Sequence, residues 1–341
     1  MKLDYAWTVV FFILQFKFSH AELLLTQILV HHAECTPSRL SLGGNKTRKL
    51  GASLREEYKN LMDAEKIYFR PEKTSISIQS AMQLAQGLLP DYSPTDQEIA
   101  NMTFKSNSWF DVVQLEVDPL FVGWLKCQHI LPEVDLHGPE LVGDWGNDTE
   151  SFQQYFGQWT GSNFVENVRS GLVYRRIRAM AEVDLRVADC FDRADPDEEL
   201  KSFTIDEYRI QSATDDLIQY NGGTHLAIFL RHVDNYLNGL EMRRLFILVG
   251  NDINIVGLLQ ALGLYDHEHI PDYRSYVALE LHHINGEYVV KVMYHNGIFP
   301  PEPPQLMWMP FCNNDCPLEK FKTSFKNRIL RVNLQELHCT P

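Results

Sequence analysis

The chain has 341 residues with 31 basic against 45 acidic side chains, a formal net charge of −14, and 45% hydrophobic residues. That balance argues against nucleic acid and anionic membrane as partners, because both call for cationic surface, and any phosphate site must be a local positive pocket in a negative protein. The length suits one large domain, or a domain with an insertion, that buries a substantial core.

Residues 1–21 carry Lys2, an apolar run from Trp7 to Leu14 and the small-x-small site Ser19-His20-Ala21. This pattern resembles a secretory signal peptide. No later stretch is apolar for long enough to cross a bilayer. The expectation is a secreted, extracellular chain starting at Glu22, and the sequons at Asn45, Asn101 and Asn147 fit glycosylation along that route.

Residues 22–37 read ELLLTQILVHHAECTP, a branched apolar run that stops on two histidines. It suits a strand covered on both faces, with the polar residues just past its carboxyl end, where ligands of open α/β sheets bind. Residues 38–47, with Gly43-Gly44, read as an exposed loop. A helix is expected over 48–61, with Leu50, Leu54, Tyr58 and Leu61 on one side, then a strand over 66–70 and a helix over 76–89. The stripe of that second helix is Ile78, Met82, Ala85 and Leu89, and a Pro-containing turn at 89–94 ends it.

From about 107 to 220 the strand-helix rhythm lapses into mostly helical segments. The arginines at 175, 176, 178 and 186 read as a solvated helix face. The α/β pattern resumes with Gly222-Gly223 opening a helix, a strand at 245–249 running into Asn251-Asp252, and a helix at 254–264 whose first N–H groups suit an anion. Asn285-Gly286 between two alternating runs, 276–284 and 287–295, predicts a type I′ hairpin. The Pro-rich tail is expected to lie across the surface. If the strands before His31, Arg70 and Asn251 are parallel neighbours, then His31, His32, Arg70, Asn251 and Asp252 meet at one sheet edge.

His31-His32-x-x-Cys35 contains zinc-ligand types, but adjacent strand residues face opposite ways and no fourth ligand is close in sequence, so no metal is expected. A Cys35 nucleophile would need a phosphate-cradling loop with arginine, of which Ser38-Arg39 is a faint echo. Six cysteines leave several pairings open; Cys312 and Cys316 are near enough to bridge locally.

A buried strand ending in histidine and Thr-Pro, with a late polar pair, resembles the histidine acid phosphatases, whose signature is Arg-His-Gly-x-Arg-x-Pro with a later His-Asp. The register is carried further by Arg70 followed by Ser80-Ala81-Met82, by Gly222-Gly223, by Cys312-x-x-x-Cys316 and by Pro317-Leu318-Glu319-Lys320-Phe321. The resemblance, closest in kind to secreted and venom members, implies an α/β fold: a three-layer, phosphoglycerate-mutase-like core over 22–106 and 221–341, with an inserted helical cap at about 107–220. It also implies a Cys127–Cys339 disulfide, leaving Cys190 without its usual mate and Cys35 as a thiol at the pocket.

By the same match His32 is the nucleophile, Asp252 the acid, and Arg70, His31 and Asn251 the phosphate-binding positions. The signature is degenerate: His31 stands for arginine, Ala33 for glycine, Cys35 for arginine and Asn251 for histidine. Arginine grips phosphate with a permanently charged planar fork, and each missing donor costs roughly 10²–10³ in rate. The implied function is phosphomonoester hydrolysis through a phosphohistidine, weak or lost, without a cofactor. The ligand is a phosphate ester or phosphate-like anion, and a homodimer is allowed. The alternative is a catalytically inactive secreted binding protein.

Overall fold

The computed structural model describes residues 21–33, 40–92, 118, 120–121, 196–298, 301–312 and 315–330. Its strands are β1 (Ala21–His31), β2 (Ile67–Pro71), β3 (Leu245–Gly250), β4 (Tyr276–Ile284), β5 (Glu287–His295), β6 (Gln305–Leu306) and β7 (Cys316–Pro317). Its helices are α1 (Leu40–Glu57), α2 (Ser75–Leu88), α3 (Pro196–Ile210), α4 (Asp215–Asn221), α5 (Gly223–Leu237), α6 (Asp252–Leu262) and α7 (Leu318–Phe325). The strands form one mixed sheet in the order β2-β3-β1-β4-β5-β6, with β7 on β5. β2, β3 and β1 run parallel, and β4 and β5 are antiparallel.

Alternation along the strands divides the core into two sides. Ile28, Val30, Ile67, Phe69, Ile247 and Val249 face α1 and α2. Leu25, Leu29, Phe246 and Leu248 face α5, α6 and α7. The result is the expected three-layer α/β architecture. Every residue of β3 is buried, which is why its sequence is an unbroken apolar run with no polar face. At about 1.5–3 kcal/mol per buried large aliphatic or aromatic side chain, β3 alone supplies free energy comparable to a domain's whole net stability.

The hairpin forms as expected, with Asn285 at φ 53° and Gly286 at φ 91°. Other expectations shift. The loop placed at 38–47 is helical from Leu40, because Gly44 lets α1 approach α2: a Cβ there would lie 2.6 Å from Gln83 Nε2. Close packing overrides glycine's poor helix propensity. Asn45 is exposed on that helix. At the end of the stretch expected as mostly helical lie two helices, α3 and α4, separated where Thr214 caps α4 by accepting from Leu217 N–H at 3.2 Å. The tail is not a surface strap. Phe321 and Phe325 are wholly buried, with Phe321 packed on Phe229 of α5, and Cys312 is bridged to Cys316.

Of the expected cap, residues 118, 120–121 and 196–220 are described; Tyr208, Ile210 and Leu217 pack with Ile253 and Val256 of α6. The leader through residue 20, Cys35, Asn101, Cys127, Asn147, Cys190 and Cys339 lie outside the described residues. β1 begins at Ala21, the last residue of the expected leader.

Two features of this core can be tested. A Cβ on Gly87 of α2 would lie 1.9 Å from the Arg48 carbonyl oxygen, and one on Gly51 2.3 Å from that of Leu84, so α1 and α2 cross on paired glycines. Gly87→Ala is expected to lose about 1–3 kcal/mol by overpacking, read from urea unfolding.

His225 on α5 is wholly buried, and among the described residues neither ring nitrogen has a hydrogen-bond partner. Burial, then the charge of Arg70, pushes it down to about 3. Below pH 6.5 the unfolded chain therefore takes up a proton that the folded chain refuses. Stability present above 6.5 is lost as pH falls toward 3, by about 2 kcal/mol at pH 5. His225→Leu, of similar volume and without unbonded nitrogens, is expected to shrink the drop in melting temperature between pH 7 and pH 5.

Candidate functional site

Parallel pairing of β1 with β3 sets His31 opposite Gly250. The next N–H, of His32, donates to the Gly250 carbonyl at 2.9 Å. His32 therefore leaves β1 beside the point where β3 turns into α6. Its Nδ1 lies 2.7 Å from the carbonyl oxygen of Ala33. A carbonyl can only accept, so Nδ1 carries the proton and Nε2 keeps the lone pair. That is the tautomer a histidine nucleophile needs. Ala33 is fixed in turn by donating its N–H to Ser80 Oγ of α2 at 2.9 Å.

The two histidines do not point apart. The strand ends at His31, and the rings meet edge to face with centroids 4.8 Å apart. Tyr273 lies 4.9 Å from the His31 ring and 6.0 Å from that of His32. His31 is buried, with Nδ1 3.0 Å from the Asp272 carbonyl oxygen.

Asn251 is the N-cap of α6. Its side-chain oxygen accepts from Asn254 N–H at 3.2 Å, and Asn254 Oδ1 accepts from Asn251 N–H at 3.0 Å. This reciprocal capping ties up the amide oxygen. Asp252 follows at the first turn, wholly buried, with Oδ2 accepting from Tyr208 O–H and Oδ1 from Ile253 N–H at 3.0 Å.

Arg70 stands differently. It pairs with Leu248, two residues before the Gly250 level, and its Nη2 donates to both carboxylate oxygens of Asp118, at 2.9 and 3.0 Å. Asp118 is buried and also caps the Leu120 N–H at 3.0 Å. Arg70 lines a cavity on the α5 side of the sheet that includes none of His31, His32, Asn251 or Asp252. His32 and the Asn251-Asp252 pair thus share one edge, while the guanidinium is drawn to Asp118.

Several residues that matter here carry no motif in sequence. Asp118 and Tyr208 come from the stretch expected as a cap and act through tertiary contact. Glu72, just beyond β2, is pushed up to about 7 by burial first and then by the charge of Asp118, against a lowering hydrogen bond from Ser77. Arg274 is buried in the left-handed region at φ 69°, and its N–H donates to the His31 carbonyl at 3.1 Å. A non-glycine residue held there stores backbone strain next to the histidines. Its charge helps to lower the pKa of His295, after burial and against Glu302. Among the described residues no group of three or more His, Cys, Asp or Glu side chains is placed to hold a metal ion.

No protein-family model matches the chain. It is 32% identical over 184 residues to venom acid phosphatase Acph-1 of Apis mellifera, across 53% of this chain and 46% of that protein. It is 32% identical over 101 residues to the prostatic acid phosphatase of Bos taurus, across 29% of this chain and 25% of that protein. The match thus spans less than half the length of these curated relatives. Among solved structures, the phytase of Klebsiella sp ASR1 superposes with a TM-score of 0.67 at 16% identity, covering 91% of this chain and 95% of that one. The Hafnia alvei phytase complexed with tartrate gives 0.65 at 14% identity, covering 91% and 98%. Such identities speak for the fold alone. Sequence similarity to acid phosphatases over part of the chain and a fold shared with phytases support the histidine acid phosphatase family.

Proposed function

We propose that the chain is a secreted phosphomonoesterase-type protein whose own turnover is weak or lost. In the reaction it would support, His32 Nε2 attacks phosphorus, the ester P–O bond breaks as an N–P bond forms, and Asp252 protonates the leaving oxygen. Water then cleaves the phosphohistidine and releases phosphate. The Nδ1–H bond from His32 to the Ala33 carbonyl supports the nucleophile's role. The apolar leader and the venom protein among the relatives support release from the cell.

The observation that carries the loss of turnover is that each expected phosphate holder is already engaged. Arg70 is paired with Asp118, Asn251 caps α6, and His31 is held at the Asp272 carbonyl. With Cys35 where the resemblance has an arginine, fewer donors are aimed at the developing charge of the transferring phosphoryl group. Two such losses at roughly 10²–10³ each bring an enzyme close to the uncatalysed rate. Burial of Asp252 behind Tyr208 favours the second reading, a non-catalytic secreted binding protein, in which fold and pocket persist without chemistry.

Hydrolysis of p-nitrophenyl phosphate at about pH 5 separates the two. The unmodified chain is expected to be near background. His31→Arg, Cys35→Arg and Asn251→His together are expected to raise the rate by about a hundredfold or more, and adding His32→Ala to abolish that gain. Fast turnover by the unmodified chain sinks the proposal. A folded triple variant that neither hydrolyses ester nor traps phosphohistidine leaves the binding reading.

A further inference from the structure

Arg70 stops two residues short of the histidine level, but the next polar residue of that strand does not. Glu72 N–H donates to the Val249 carbonyl at 2.8 Å, just as His32 N–H donates to that of Gly250 at 2.9 Å. Pro71 pairs with Val249 and His31 with Gly250, so the chain leaves β2 at Glu72 level with the point where it leaves β1. Glu72, Gly250 and His31 thus stand in one row across β2, β3 and β1, the three parallel strands of the sheet.

The carboxyl of Glu72 is held from two sides. On α2, Thr74 caps the helix by accepting from Ser77 N–H at 3.3 Å and donates its own O–H to Ser77 Oγ at 2.9 Å. The hydroxyl proton of Ser77 is then left for the Glu72 carboxylate, a bond that favours the charged form. From the other side comes Asp118, already bonded to Arg70 through both oxygens. The segment that follows Asp118 packs over the end of β3: a Cβ on Gly250 would lie 2.8 Å from the Phe121 ring, and Asn254 Nδ2 of α6 donates to the Phe121 carbonyl at 2.9 Å.

A half-buried carboxyl between a hydroxyl and a fixed carboxylate has two states with opposite effects on an anion. Protonated, it donates a hydrogen bond; ionised, it repels. Burial first, then the charge of Asp118, against the Ser77 bond, brings the change between the states to about pH 7. The other ionisable groups around it are Arg70 and Lys73 on its own strand end, His31 and His32 on β1, Asp252 on α6 and His225 on α5, while α2 has no titratable side chain.

We infer that Glu72, in its protonated form, donates a hydrogen bond to a phosphate-type anion at the His32 edge and stands in for a missing guanidinium, so that this edge takes up anions only at acidic pH. The inference rests on the reading of that edge as a phosphate site.

Calorimetric titration of sulfate into the full chain tests it, because sulfate keeps its two charges between pH 6 and pH 8 whereas phosphate does not. The parent chain is expected to bind sulfate saturably at pH 6 and about tenfold more weakly at pH 8, the loss of one charge-assisted bond. Glu72→Gln keeps a donor and cannot ionise; it is expected to match the parent at pH 6 and to bind about tenfold more tightly than the parent at pH 8. Comparing the two chains at one pH cancels any titration of His31, His32 or Asp252. Glu72→Ala has no donor and should bind about tenfold more weakly than the parent at pH 6, a loss that decides the matter if Glu72→Gln does not fold. No saturable binding at pH 6, a Glu72→Gln affinity that falls with pH as the parent's does, or a Glu72→Ala chain that binds like the parent at pH 6 overturns the inference. Hydrolysis of p-nitrophenyl phosphate by the same samples judges the underlying reading separately: rapid turnover by the parent sinks that reading whatever Glu72→Gln does to sulfate.

Discussion

The parallel pairing of β1 with β3 is the constraint on which the rest of the molecule depends. It carries His31 to the level of Gly250 and lets His32 N–H bond the Gly250 carbonyl, so that the imidazole and the Asn251-Asp252 pair emerge side by side. Parallel strands need long crossovers, and here the one between β1 and β3 spans more than half the chain. Residues more than two hundred apart in sequence therefore become neighbours only if both strands are buried on both faces. The apolar continuity of β3 and the division of the core into two packed sides provide that condition.

His32 holds its Nδ1 proton at the Ala33 carbonyl, and the polar groups expected beside it serve the fold: Asn251 caps α6, Asp252 is held by Tyr208, and Arg70 is neutralised by Asp118. Each engagement satisfies a group that burial would otherwise penalise. A carboxylate such as Asp118, only 4% exposed, would cost several kcal/mol if left unpaired, so the pairing holds Arg70 to that side of the sheet.

What could be read from the sequence followed the periodicity of buried surface. The β1 and β3 runs, the Asn285-Gly286 hairpin, and Leu50, Leu54 and Tyr58 on α1 are local patterns, and the structure keeps them. The family resemblance named His32 and Asp252 because their neighbours in sequence travel with them. Asp118, Tyr208 and Glu72 had no such company. Their roles arise from contacts across 44 to 48 residues or from burial itself. The helical start at Leu40 escaped for the opposite reason: Gly43-Gly44 reads locally as a loop, and only the approach of α2 shows why glycine sits inside a helix. The tail hid Phe321 and Phe325 behind its prolines, although their spacing with Leu318 is helical.

Strand parity explains why the surviving arginine serves the flank rather than the edge. Side chains alternate along β2, so Ile67 and Phe69 enter the core under α1 and α2, while Tyr68 and Arg70 face α5. Arg70 cannot reach the other face without a one-residue slip, which would bury a guanidinium beside Ile247 and Val249. Its register two residues short of Gly250 adds a displacement of roughly 6–7 Å along the strands. A cation so placed is satisfied by Asp118 rather than by the histidine edge. The distance of Arg70 from His32 and its pairing with Asp118 are two consequences of the same register.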